Sequence, residues 1–60
     1  MAYYRLYFVR DGHFVRCEEI LADDDGEALR TAGARAGPLD LELWCGRRRV
    51  KNFAAVRANA

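Results

Sequence analysis

The stretch Tyr3-Tyr-Arg-Leu-Tyr-Phe-Val-Arg-Asp-Gly-His-Phe-Val-Arg-Cys-Glu-Glu-Ile20 decides the fold. Two runs rich in aromatic and β-branched residues, Tyr3 to Val9 and Phe14 to Ile20, flank Asp11-Gly12, a dipeptide suited to the two left-handed positions of a type I′ hairpin turn. A regular register from that turn sets Arg10 against His13, Phe8 against Val15, Leu6 against Cys17 and Arg5 against Glu18. Leu6, Phe8, Val15 and Cys17 then share one face of the hairpin, and Tyr3, Arg5, Tyr7, Arg16 and Glu18 share the other.

Beyond Leu21-Ala22 the pattern changes to Asp23-Asp24-Asp25-Gly26-Glu27-Ala28-Leu29. An Asp followed three residues later by Glu resembles a capping box, and acidic side chains complement the positive end of a helix dipole. The expected helix runs to about Ala36, with Gly37 as a left-handed stop and Pro38 preventing continuation. Its inner stripe is Ala28, Leu29, Ala32, Gly33 and Ala36, small side chains that let the helix lie close to a sheet but contribute little apolar area.

Residues Leu39 to Cys45 alternate apolar and polar as a strand with one wet face does, and Gly46-Arg47 fits a type II′ turn with glycine first. That turn pairs Leu43 with Val50, Trp44 with Arg49 and Glu42 with Lys51, so that an indole meets a guanidinium and an acid meets a base. The run Arg47-Arg48-Arg49 is thereby dispersed: one residue in the turn, one on the core side, one on the outer face. The order is strand, strand, helix, strand, strand. The expected architecture is α+β: a four-stranded sheet of two hairpins with one helix on one face. Residues 1–53 form the single domain, and residues 54–60 are expected to be a frayed or disordered extension.

A chain of 60 residues holds one domain, and a core this small supplies only ~3–5 kcal/mol, so a disulfide, a metal or a partner is the usual supplement. Cys17 and Cys45 lie far apart, and the Met-Ala-Tyr-Tyr-Arg opening has no signal-peptide pattern, so reduced thiols and a cytoplasmic location are expected. A zinc site needs paired ligands, whereas His13 is alone and there is no Cys-x-x-Cys. No cofactor is expected. No apolar run approaches the ~20 residues of a membrane span. His13 flanks a turn without an orienting acid, Cys17 reads as a small core hydrophobe, and Cys45 beside the arginines is the more reactive candidate but lacks a base. An enzyme is not expected.

The remaining supplement is self-association. The sheet face away from the helix is expected to carry Tyr3, Tyr7, Phe14 and Ile20 with Trp44 and Phe53, interspersed with Arg5, Arg16, Arg49 and Lys51. A patch of that kind marks a contact surface. The candidate interface residues are Tyr3, Arg5, Tyr7, Phe14, Arg16, Trp44, Arg49, Lys51 and Phe53, and the expected partner is a second copy or another protein. The same rings and cations suit stacking on single-stranded nucleic acid, but Glu18, Asp40 and Glu42 are placed on that face and oppose it. The net charge of +1 gives little pull on a polyanion, although the C-terminal third is basic.

The opening Tyr-Arg-Leu-Tyr-Phe, the Glu18-Glu19 pair before an Asp-rich cap with Glu27-Ala28-Leu29, and the closing Glu42-Leu-Trp-x-Gly-x-Arg-x-Val50 resemble a group of very short, uncharacterised bacterial proteins over about residues 4–50. That resemblance implies a bacterial cytoplasmic origin and supplies no catalytic residues. The hairpin followed by a Glu-Ala-Leu helix also resembles the N-terminal unit of HicB-like antitoxins, whose Gly-Cys and Pro motifs between strand and helix are absent here. An antitoxin-like regulator therefore stands beside the nucleic-acid binder as an alternative to a self-associating protein.

Overall fold

The computed structural model describes residues 1–56 of the 60-residue chain. Its elements are β1 (Ala2–Arg10), β2 (His13–Ala22), α1 (Asp25–Gly33), β3 (Asp40–Cys45) and β4 (Arg48–Phe53). They form a four-stranded antiparallel sheet in the order β2-β1-β3-β4, with the helix on one face. Because β1 runs between β2 and β3, the segment carrying α1 crosses over it, a split β-α-β unit closed by a second hairpin.

Both turns follow from their glycines. Asp11 (φ 51°) and Gly12 (φ 78°) are both left-handed, as a type I′ turn demands. At the second turn only Gly46 (φ 59°) has positive φ, as in type II′. The two-residue loops hold, but neither hairpin keeps a regular register. In β2, Arg10 faces His13 and Val9 faces Phe14; then Phe8 faces Arg16, leaving Val15 as the extra residue of a β-bulge.

The bulge flips everything beyond it relative to the regular register. Leu6 faces Glu18, Arg5 faces Glu19 and Tyr7 faces Cys17. Cys17 is therefore exposed on the outer face rather than in the core, while Arg16 and Glu18 move to the helix side. Val15 stays on the helix side but is 51% exposed. Ile20 leaves the outer face and packs in the core opposite Tyr4. The flip is favourable: it buries Ile20 and Ala22 and turns Glu19 outward.

A second bulge follows Leu43. Trp44 faces Arg49 as expected, but Leu43 faces Lys51 and Glu42 faces Asn52. Phe53 then lies opposite Leu41 on the helix side, beside Gly33, and Lys51 stands over its ring at 5.3 Å. The core is formed by Tyr4, Leu6, Phe8, Ile20, Ala22, Ala28, Ala32, Leu41 and Leu43, with Leu29, Cys45, Val50 and Phe53 packed around it.

Helix α1 starts as its sequence dictates. The Asp24 carboxylate accepts from the Glu27 amide (2.8 Å), and the Glu27 side chain accepts from the Asp23 amide (3.2 Å), one residue before the reciprocal donor of a full capping box. It ends at Gly33, not Ala36. Arg35 and Ala36 bond back to the carbonyls of Ala32 and Gly33, a tightened last turn, and Ala36 is exposed. Gly37 is not left-handed; its carbonyl accepts from the Val56 amide (2.7 Å). Beyond Ala32 the helical face has no large apolar residue to hold against the sheet, so continuing the helix would gain no burial. Of the C-terminal extension, residues 54–56 return along the end of the sheet, where the Ala55 amide donates to Asp40 (2.7 Å); residues 57–60 lie outside the described residues.

Candidate functional site: the outer sheet face

The face away from the helix is built from cross-strand rows. One row runs Glu19, Arg5, Trp44, Arg49 across β2, β1, β3 and β4; the next runs Cys17, Tyr7, Glu42, Asn52. Tyr3 and Leu21 form a pair at one end, and Phe14 flanks the other. Among the described residues no helix covers this face: Tyr3 is 66% and Phe14 61% exposed, with Leu21 at 52%.

The side chains are ordered by one another. Tyr7 and Phe14 stack with ring centroids 4.8 Å apart at 23°. The Trp44 indole N–H donates to the Glu42 carboxylate (3.0 Å), and the Arg49 guanidinium lies 5.8 Å from the indole centroid. Trp44 thus stands half-buried between two arginines, Arg5 on one side and Arg49 on the other, with its polar edge satisfied.

Of the expected interface residues, Tyr3, Arg5, Tyr7, Phe14, Trp44 and Arg49 are brought together on this face. Arg16, Lys51 and Phe53 are not. Arg16 lies on the helix side with its guanidinium 4.1 Å from the Phe8 ring centroid, and Lys51 and Phe53 follow the second bulge to the same side. Glu18 also leaves the face, to pair with Arg35. In exchange the face gains Cys17, Glu19 and Leu21, which a regular register had turned inward. With Val15 as the extra residue, Ile20 and Ala22 fall inside and these three outside.

The face carries Arg5 and Arg49 against Glu19 and Glu42, with Asp40 beside Val9 at its end. The arginine run is dispersed as its turn requires, since Arg48 points to the helix side and makes two hydrogen bonds to Asp25, 2.9 and 3.0 Å. Tyr4 donates to the same carboxylate at 2.7 Å. Arg48 first and Tyr4 second pull the Asp25 carboxyl down to about 2, and the bond to Asp25, reinforced by burial, pushes the Tyr4 phenol up to about 12.

Among the described residues, no three His, Cys, Asp or Glu side chains converge as metal ligands, and no helix is long and apolar enough to cross a membrane. No family model, no curated protein and no solved structure matches the chain.

Proposed function

We propose that this chain is a non-enzymatic cytoplasmic binding protein that pairs with a second copy of itself through the outer sheet face. The observation that carries the reading is the composition of that face: Tyr3, Tyr7, Phe14 and Trp44 with Leu21, and an equal number of arginines and glutamates. Aromatic residues and arginine are the types that dominate binding energy at protein interfaces. Charges of both signs make the face complementary to itself, because Arg5 and Arg49 of one copy find Glu19 and Glu42 of the other. A polyanion would meet three carboxylates, Glu19, Glu42 and Asp40, for the same two cations.

The energetic argument points the same way. The helix contributes only Ala28 and Ala32 as fully buried side chains, with Leu29 half-buried beside them, so one sheet face supplies most of the monomer's core. Covering the second face would add apolar burial at ~25 cal/mol per Å², on the scale of the fold's own marginal stability.

The test is dilution followed by amide NMR. Between ~1 mM and ~10 µM, a range that spans the dissociation of a micromolar dimer, the amides of Tyr3, Arg5, Tyr7 and Trp44 should shift while those of Ala28 and Ala32 stay put. Shifts confined to the helix side, or none at all, would reject the outer face as the contact.

A further inference from the structure

The helix side carries a feature that the self-association reading does not use. Because α1 ends at Gly33, the sheet beyond it is roofed only by the loop through Gly37 and Pro38, and a cleft of about 320 Å³ opens over Phe8 and Leu41. Its accessible walls are apolar, formed by Val15, Pro38 and the half-buried Leu39, while Phe8 and Leu41 beneath are themselves buried. Its rim carries Arg10, Arg16 and Arg35.

Two of these cations have partners within the protein. The Arg16 guanidinium is stacked 4.1 Å from the Phe8 ring centroid, and the β2 bulge at Val15 is what places it there. Arg35, from the turn after the helix, is hydrogen-bonded to Glu18, whose same oxygen lies 3.9 Å from Arg16. Two guanidiniums therefore converge on one carboxylate oxygen, and Arg10 has no carboxylate within ion-pair distance among the described residues. Asp11 adjoins Arg10 in sequence but faces the neighbouring hollow at the turn.

Each guanidinium carries five N–H donors in a planar fork, so one shared glutamate leaves most of them free. An apolar slot of a few hundred Å³ with a few convergent polar groups is the general form of a small-molecule site. The geometry points to a binding site for a small amphiphilic anion: a carboxylate, phosphate or sulfonate held by Arg16, Arg35 and Arg10, attached to a flat apolar body of one or two rings lying against Val15, Pro38 and Leu39. Glu18 is its internal competitor, holding the two guanidiniums together until the ligand's anion shares them.

The test titrates the protein with 1-naphthyl phosphate, 1-naphthol and inorganic phosphate, followed by amide NMR at low salt. The phosphate ester should shift Phe8, Val15, Gly37 and Leu39 with a Kd of about 1 mM or tighter, and both fragments should bind at least about tenfold more weakly. Arg16→Gln with Arg35→Gln should weaken binding about tenfold with the spectrum otherwise preserved, and Arg47→Gln in the distant turn should not. Glu18→Gln should strengthen binding a few-fold by removing the competing carboxylate. The site is refuted if 1-naphthol binds as well as the ester, if Glu18→Gln weakens binding, if the shifts map to Tyr7 and Trp44, or if nothing moves at about 5 mM ester.

Discussion

Arg48 grips the carboxylate of Asp25 with two hydrogen bonds of 2.9 and 3.0 Å, joining the far edge strand of the sheet to the first turn of the helix. Tyr4, from the central strand, closes the cluster from below. These contacts fix the helix over the sheet at a place where its own buried side chains are only alanines. The pair is partly solvated, so its value lies in orientation and its strength falls with salt.

The cluster predicts an acid and an alkaline limit to stability. The Asp25 pKa is lowered to about 2 from an ordinary value near 3.8, so its contribution is present above about pH 4 and is lost as pH falls through 2. The Tyr4 pKa is raised to about 12 from 10.0, so its contribution is complete below pH 10 and disappears as pH rises toward 12. Urea melts of Asp25→Asn should lose stability at pH 7 and flatten the fall between pH 4 and 2. An unchanged acid slope in that variant would remove Asp25 from the account.

Trp44→Ala separates hairpin chemistry from interface chemistry. Its indole contact with Arg49 is an exposed cation-π pair contributing about 0.5–1 kcal/mol, whereas a buried aromatic anchor costs ~2 kcal/mol or more when truncated. Self-association should weaken at least about 30-fold while far-UV circular dichroism is preserved. A variant that assembles as before and is merely a little less stable would confine Trp44 to the hairpin.

Gly33→Ala should stabilise the protein. A methyl there would lie 3.8 Å from the Phe53 ring, ordinary van der Waals contact, and alanine is about 0.5–1 kcal/mol better than glycine within a helix. In a domain of this size the melting temperature should rise by about 2–8 °C. Gly12→Ala and Gly46→Ala should do the opposite, because both positions have positive φ. A fall in melting temperature for Gly33→Ala would mean that the helix and β4 pack more tightly than described.

Single-stranded oligonucleotide should bind no tighter than about 10 µM at 0.15 M salt, since Glu19 and Glu42 offset the cations of the outer face and Arg48 is engaged by Asp25. Filter binding or fluorescence anisotropy over a salt series measures it. A sub-micromolar, steeply salt-dependent complex lost on changing Arg47, Arg48 and Arg49 to serine would replace the self-association reading with a nucleic-acid one.

Element identity was legible because each element carries its own local chemistry: Asp11-Gly12 for one turn, Gly46-Arg47 for the other, Asp24 with Glu27 for the helix start. Face assignment was less so. A bulge adds one residue without any obligatory residue type, and Val15 and Val50 look like ordinary strand residues. Reading them as regular positions moved Arg16, Lys51 and Phe53 to the wrong side and hid Glu19 and Leu21. Strand order was not legible either, because nothing local distinguishes which hairpin edge β3 will join; the Tyr4, Asp25, Arg48 cluster, which depends on that order, was invisible for the same reason.

The most direct measurement is the solution mass by sedimentation equilibrium over about 5–200 µM, a range bracketing a micromolar association. A mass rising with concentration toward twice the 6.8 kDa of one chain, and returning toward one chain in Trp44→Ala, is what pairing through the outer face requires. A mass fixed at one chain across the whole range would contradict it.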